Sequence, residues 1–111
     1  MEINLPHAKL IALPCLNISL NEITNINLFD NNFTKIPKEI YKMKNLEVLN
    51  ISTNEIRKIA ANIKNLKELK MMDLGHNQIE AVPSEIRSLI KLKYLNLSDN
   101  KLRELLKKIG N

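Results

Sequence analysis

One cysteine, two glycines, no tryptophan and only four aromatic side chains stand in this 111-residue sequence. The lone thiol, Cys15, excludes an internal disulfide framework and points to a reducing compartment. Two glycines exclude a glycine-rich phosphate loop, and with only four prolines they exclude collagen-like sequence. No apolar run approaches the roughly 18 residues a membrane helix requires, so membrane insertion is not expected. The opening Met1-Glu2-Ile3-Asn4-Leu5-Pro6 lacks the basic start and apolar stretch of a signal peptide. The four N-x-S/T triplets at Asn17, Asn32, Asn50 and Asn96 are accordingly read as unglycosylated. What remains is 44% hydrophobic and 26% charged, the balance of a folded globular chain, in a length that fits one small domain.

The hydrophobic residues are periodic. At a spacing of 23, Ile23, Leu46, Leu69 and Leu92 align, as do Ile26, Leu49, Met72 and Leu95, and Leu28, Ile51, Leu74 and Leu97. Asn31, Asn54, Asn77 and Asn100 share one position, followed by Phe33, Ile56, Ile79 and Leu102. Ile36, Ile59, Val82 and Leu105 come next, then Ile40, Ile63, Ile86 and Ile109, then Met43, Leu66 and Leu89. Four units run without insertion or deletion, which is the signature of a stacked repeat architecture. Residues 1–22 are a worn copy, with Ile3, Leu5, Leu10, Leu13 and Pro14 in register but Ala8 at the asparagine position and Asn17 at a later isoleucine position.

The unit reads L-x-x-L-x-L-x-x-N-x-L-x-x-[ILV]-P-x-x-I, with the proline present as Pro37 and Pro83 and replaced by Ala60 and Leu106. It resembles the 23-residue leucine-rich repeats of Ras-pathway and cell-polarity scaffolds, plant intracellular relatives and some bacterial effectors. The resemblance implies an α/β solenoid of about five repeats. A short parallel sheet would line the concave face, with irregular, 3-10 or short helical return segments on the convex face. The expected organisation is one domain over 1–111: a degenerate capping repeat at 1–22, full repeats at 23–45, 46–68 and 69–91, and a truncated repeat at 92–111. The cytoplasm is the expected location; the alternative is a bacterial effector delivered into a host cell without a classical signal peptide.

Each unit must stack to bury its apolar face. In Leu46-Glu47-Val48-Leu49-Asn50-Ile51, Leu49 and Ile51 alternate inward while Val48, Asn50 and Ser52 face out. Where the strand turns, its backbone groups lose their partners, and a buried orphan costs about 1–3 kcal/mol. A carboxamide carries both donors and an acceptor, so Asn31, Asn54, Asn77 and Asn100 are read as a structural ladder serving the turns above and below.

The outward strand positions form four columns: Glu2, Asn25, Val48, Met71, Tyr94; Asn4, Asn27, Asn50, Asp73, Asn96; Pro6, Phe29, Ser52, Gly75, Ser98; and His7, Asp30, Thr53, His76, Asp99. None of these twenty is Lys or Arg. The return segments, by contrast, hold thirteen Lys or Arg against five Asp or Glu, a net of +8, so the chain's overall +5 conceals a basic back. Asn or Asp in the second column and Ser in the third belong to the repeat consensus. The departures and charges single out Phe29, Asp30, Val48, Met71, Asp73, His76, Tyr94 and Asp99 as the partner-binding set, since aromatics and Met anchor interfaces.

No catalytic, cofactor or metal site is assigned. His7 and His76 lie three units apart, roughly 14 Å at the spacing of parallel strands, too far for one metal. Asp73 and His76 are close enough in sequence for a surface hydrogen bond. The expected function is non-enzymatic recognition of a protein through the concave sheet. One alternative is an anionic partner, nucleic acid or membrane surface, on the basic convex face; few arginines and little aromatic interleaving argue against nucleic acid. The other is an assembly unit that self-associates through the apolar end formed by Leu95, Leu97, Leu102, Leu105 and Ile109.

Overall fold

A computed structural model describes residues 1–102. Five strands, β1 (Glu2–Asn4), β2 (Asn25–Asn27), β3 (Val48–Asn50), β4 (Met71–Asp73) and β5 (Tyr94–Asn96), form one parallel sheet in chain order. The register matches the sequence period at every step: Ile3 faces Ile26, Ile26 faces Leu49, Leu49 faces Met72 and Met72 faces Leu95. Each strand is three residues long, and inter-unit backbone hydrogen bonds continue past it, from Leu28 N–H to Asn50 O (2.7 Å) and from Asp30 N–H to Ser52 O (3.1 Å). The return segments are single 3-10 turns at Leu20–Glu22, Ile40–Lys42, Ala61–Asn65 and Ser84–Ser88. The aligned hydrophobic columns point between these two layers. In the units starting at 23, 46 and 69 nearly every column residue is fully buried, from Ile23, Ile26 and Leu28 through Leu69, Met72 and Leu74. Residues 1–22 contain no fully buried side chain; Ile3, Leu5, Leu10 and Leu13 instead pack partly buried against the core. Leu95, Leu97 and Leu102 do the same at the other end. Leu105 and Ile109, the rest of the apolar end read from the sequence, lie outside the described residues.

The asparagine ladder is present, and it has a direction. Asn54 Oδ1 accepts from Phe33 N–H of the preceding unit (3.0 Å). Its Nδ2 donates to Leu28 O of that unit (3.0 Å) and to Ile51 O and Ser52 O of its own (both 3.1 Å). Asn77 repeats the pattern with Ile56 N–H (2.9 Å), Ile51 O (3.1 Å) and Leu74 O (3.0 Å), and Asn100 repeats it with Ile79 N–H, Leu74 O and Leu97 O. Each amide therefore serves its own turn and the turn before it, not the turns on both sides. Asn31 accordingly takes the N–H groups of Ala8 (3.1 Å) and Leu10 (2.9 Å) and donates to Leu5 O (2.9 Å). That is why Ala8 is tolerated: the first unit borrows its amide from the second. Among the described residues no buried side-chain nitrogen or oxygen lacks a partner.

Tyr41 is a second inter-unit tie, on the return side. Its hydroxyl accepts the N–H of Ala60 at 3.3 Å. Burial pushes its pKa above the ordinary 10, partly offset by that N–H. The folded chain thus holds the phenolic proton more tightly than the unfolded chain. Stability from this group is complete below pH 10 and declines as the pH rises through the folded value.

Two outcomes are expected. Asn54→Ala and Asn77→Ala should each cost about 1–3 kcal/mol in urea unfolding, because a buried backbone N–H, of Phe33 or of Ile56, loses its only partner, while Asn32→Ala on the exposed turn should cost under about 0.5 kcal/mol. Unfolding free energy measured from pH 8 to 11 should fall above pH 10 in the natural chain, and Tyr41→Phe should flatten that decline while lowering stability at pH 8.

Candidate functional site

The four outward columns line one continuous concave face, and each does a different job. The column Asn27, Asn50, Asp73, Asn96 is committed to the backbone. Each side-chain oxygen accepts the N–H two residues on, at Phe29, Ser52, Gly75 and Ser98, all at 3.0 Å. This closes a small side-chain turn at the end of β2, β3, β4 and β5. Asn50 also accepts the hydroxyl of buried Ser52 at 2.7 Å. Asp73, read from the sequence as a partner-facing charge, holds both Gly75 N–H and the Asn96 amide (3.0 Å) on one oxygen. Gly75 follows from that contact. A Cβ there would come within 2.8 Å of Asn96 Nδ2 and 3.2 Å of Asp73 Oδ1. A side chain at Gly75 would therefore press on the Asp73–Asn96 hydrogen bond.

The last column is left-handed throughout. His7, Asp30, Thr53, His76 and Asp99 all have φ between 53° and 58°. Asp and His tolerate this region better than most residues, while a β-branched residue is strained in it. His7, Asp30, Thr53, His76 and Asp99 stand next to one another across the sheet, so neighbours of opposite character meet. His7 Nδ1 lies 2.6 Å from Asp30 Oδ2, and His76 Nδ1 lies 3.0 Å from Asp99 Oδ2. His76 therefore pairs with Asp99 one unit on, and the sequence reading that brought it toward Asp73 is corrected. The column order already contained this signal, because each histidine precedes an aspartate by 23 residues. The imidazole of His7 also meets Phe29 edge to face, 5.2 Å between centroids and 82° between planes. All four partners of the two pairs are exposed. Among the described residues no hydroxyl or thiol bonds either imidazole, and no three His, Cys, Asp or Glu side chains cluster as metal ligands would. The two pairs, as arranged, order the rim of the face.

What remains uncommitted is the column Glu2, Asn25, Val48, Met71, Tyr94. Val48 and Met71 are half-buried and Tyr94 is 48% exposed. Val48 and Met71 join Glu2, Asn4, Asn25, Asn27 and Asn50 around a shallow depression of about 200 Å³. Of the set singled out from the sequence, Val48 and Met71 share that depression. Phe29, Asp30, His76 and Asp99 sit along the rim, and Tyr94 stands on the outer strand. Of the asparagines of the depression, Asn4, Asn27 and Asn50 matched the repeat consensus in the sequence, and Asn25 was not singled out.

The leucine-rich repeat model matches residues 21–79 and 60–102. The chain belongs to the leucine-rich repeat family. Among solved structures, a leucine-rich repeat protein of Leptospira interrogans is similar at 34% identity over 81% of this chain, with a TM-score of 0.77. The leucine-rich repeat domain of APL1B is similar in fold, at 21% identity over 85% of this chain and a TM-score of 0.66. The chain spans 23% of the first structure's length and 33% of the second's. No curated protein sequence matches it. Leucine-rich repeats are, as a class, protein-interaction modules and typically non-enzymatic, and the present solenoid carries their sheet, turns and amide ladder.

The left-handed column generates a prediction. Thr53→Asn should raise unfolding free energy by about 1 kcal/mol, because Asn accepts the φ of 55° that strains a β-branched residue. Thermal and urea unfolding would read it; a loss would mean that Thr53 is held by packing that outweighs its backbone strain.

Proposed function

We propose that this chain recognises a protein partner, without catalysis, through its concave parallel sheet. The observation that carries the reading is the uncommitted column Val48, Met71 and Tyr94. It is apolar, runs across three neighbouring strands, and lies in a face otherwise committed to holding its own backbone. Met adapts its shape to a partner, and Tyr anchors one at low entropic cost. The exposed carboxylates Asp30 and Asp99 flank the column, and no Lys or Arg occupies any of the twenty outward positions. The favoured partner surface is therefore neutral or basic, and charge of that sign mainly speeds encounter. Asn25, Asn27 and Asn50 carry side-chain amide N–H groups without an acceptor among the described residues, suited to an extended segment's carbonyls.

The module is small. A standard interface takes about 800 Å² from each partner, and five strands at roughly 4.8 Å span only about 20 Å. Recognition of an extended segment or a loop fits that area better than a broad globular face. The cellular setting we favour is a reducing compartment, supported by the exposed, unpaired Cys15. An effector-like or scaffold role is the same reading extended from the family resemblance.

The test is capture of partners from a lysate of the source cells, followed by affinity measurement on the recovered partner. Tyr94→Ala and Phe29→Ala should each weaken binding by at least about 1–2 kcal/mol. Lys64→Glu, on the return side, should leave affinity within twofold. Binding lost in Lys64→Glu and kept in both aromatic variants would move the site off the concave sheet.

A further inference from the structure

The return side carries a feature that its scattered lysines do not announce. A groove of about 720 Å³ opens where the first three units turn from the ladder toward their return segments. Its floor is apolar, with Leu13, Ile36, Ile59 and the ring of Tyr41. Two small residues make the room. Ala12 and Ala60 both line the groove, and Ala60 takes the position that Pro37 and Pro83 hold in their own units. At the open end Ile11 is 80% exposed, a large apolar side chain with no packing role that would account for it.

The rim is cationic. Lys35, Lys38, Arg57 and Lys58 line the groove against a single carboxylate, Glu39. None of the four forms an ion pair with a described residue. Two other lysines do form ion pairs: Lys70 with Glu47 at 3.3 Å and Lys91 with Glu68 at 2.7 Å. The hydrogen bond from Lys91 holds the Glu68 carboxyl below its ordinary range. What sets the groove apart is the grouping: four cations and one carboxylate stand around an apolar recess.

We infer that this groove is a second protein-binding site, taking an extended segment in which acidic and apolar residues alternate. In an extended chain, successive side chains point to opposite sides and every second one recurs about 6.6 Å along. Apolar residues directed at Leu13, Ile36 and Ile59 would place the intervening carboxylates at the rim, where Lys35 and Lys58 stand one unit apart in the same column. A nucleic acid suits the groove less well. Its bases would need exposed stacking surfaces, and of the two aromatics that line the groove Phe33 is buried and Tyr41 half-buried with its hydroxyl bonded to Ala60. A membrane suits it less well again, because Ile11 is the one large apolar side chain of the groove that is exposed, while Ile36 and Ile59 are buried. The site is distinct from the concave sheet and stands or falls independently of it.

The experiment uses the full chain and a fluorescein-labelled hexapeptide alternating aspartate and leucine. Fluorescence anisotropy measures affinity, and amide chemical shifts on the isotope-labelled chain report where the peptide sits. Saturable binding is expected, with shifts concentrated at 11–13, 34–38 and 57–62. The double variant Arg57→Glu with Lys58→Glu should weaken it at least tenfold and Ile11→Asp at least threefold. Tyr94→Ala should leave it unchanged. Each of these substitutions is on an exposed side chain, and circular dichroism of every variant verifies the fold. The inference is overturned if a hexa-aspartate peptide binds equally well, which would reduce the effect to charge. It is also overturned if an oligothymidylate or a vesicle of mixed phosphatidylglycerol and phosphatidylcholine binds in the groove more tightly than the peptide. Unchanged affinity in the double variant, or shifts confined to the concave sheet, would overturn it as well.

Discussion

Everything in this solenoid hangs on a carboxamide placed once per turn. Sheet hydrogen bonds between units run only as far as the left-handed column, where the N–H groups of Asp30, Thr53 and His76 donate to the carbonyls of Ser52, Gly75 and Ser98. At that turn the N–H groups of Phe33, Ile56 and Ile79 and the carbonyls of Leu28, Ile51 and Leu74 point inward with no strand opposite. Asn54, Asn77 and Asn100 take up these groups, each reaching back to the unit before it. The result is a chain of amides with a direction, in which every turn is completed by the next unit. Ala8 is permitted at the start because Asn31 completes its turn from outside.

The same economy decides what the concave face has left to offer. Its asparagine and aspartate column closes the turn two residues on, and its left-handed column pairs histidine with aspartate across neighbouring strands. These side chains hold the face in shape. The residues left without such work are few: an apolar line through Val48, Met71 and Tyr94, Phe29 beneath His7, and the amide N–H groups of Asn25, Asn27 and Asn50. Positive charge is displaced to the other side of the molecule, where it gathers around an apolar groove. One short chain thus presents two surfaces of opposite character, an uncharged-to-acidic sheet and a basic recess.

The repeat, the core and the ladder were legible in the sequence because burial imposes the same demand at the same place in every unit. Leu46 and Leu69 occupy equivalent sites and are both fully buried, so a column of leucines is a direct record of packing. The ladder's direction was not legible. An amide can serve either neighbour, and only the backbone shows that Asn77 meets Ile56 and not Ile79. The consensus position Asn50 passed as a plain surface residue, although it carries Ser52 N–H and the Ser52 hydroxyl. The crowding at Gly75 was not legible either, since it arises from Asp73 holding the Asn96 amide against that position. The groove had no sequence signature, since its floor is made of ordinary core positions seen from the side and its rim of ordinary surface lysines. A recess depends on what is missing between side chains, here beside Ala12 and Ala60, and a repeat pattern records only what is present.

Native-state hydrogen exchange on Asn77→Ala tests the directed ladder most directly. Removing that amide should accelerate exchange of the Ile56 N–H, which it accepts from the preceding unit, far more than exchange of the Ile79 N–H, which Asn100 holds. Ile56 should lose at least tenfold of its protection while Ile79 changes only by the global loss of stability. Equal acceleration at the two amides, or a larger effect at Ile79, would contradict an account in which each unit is completed by the amide of the next.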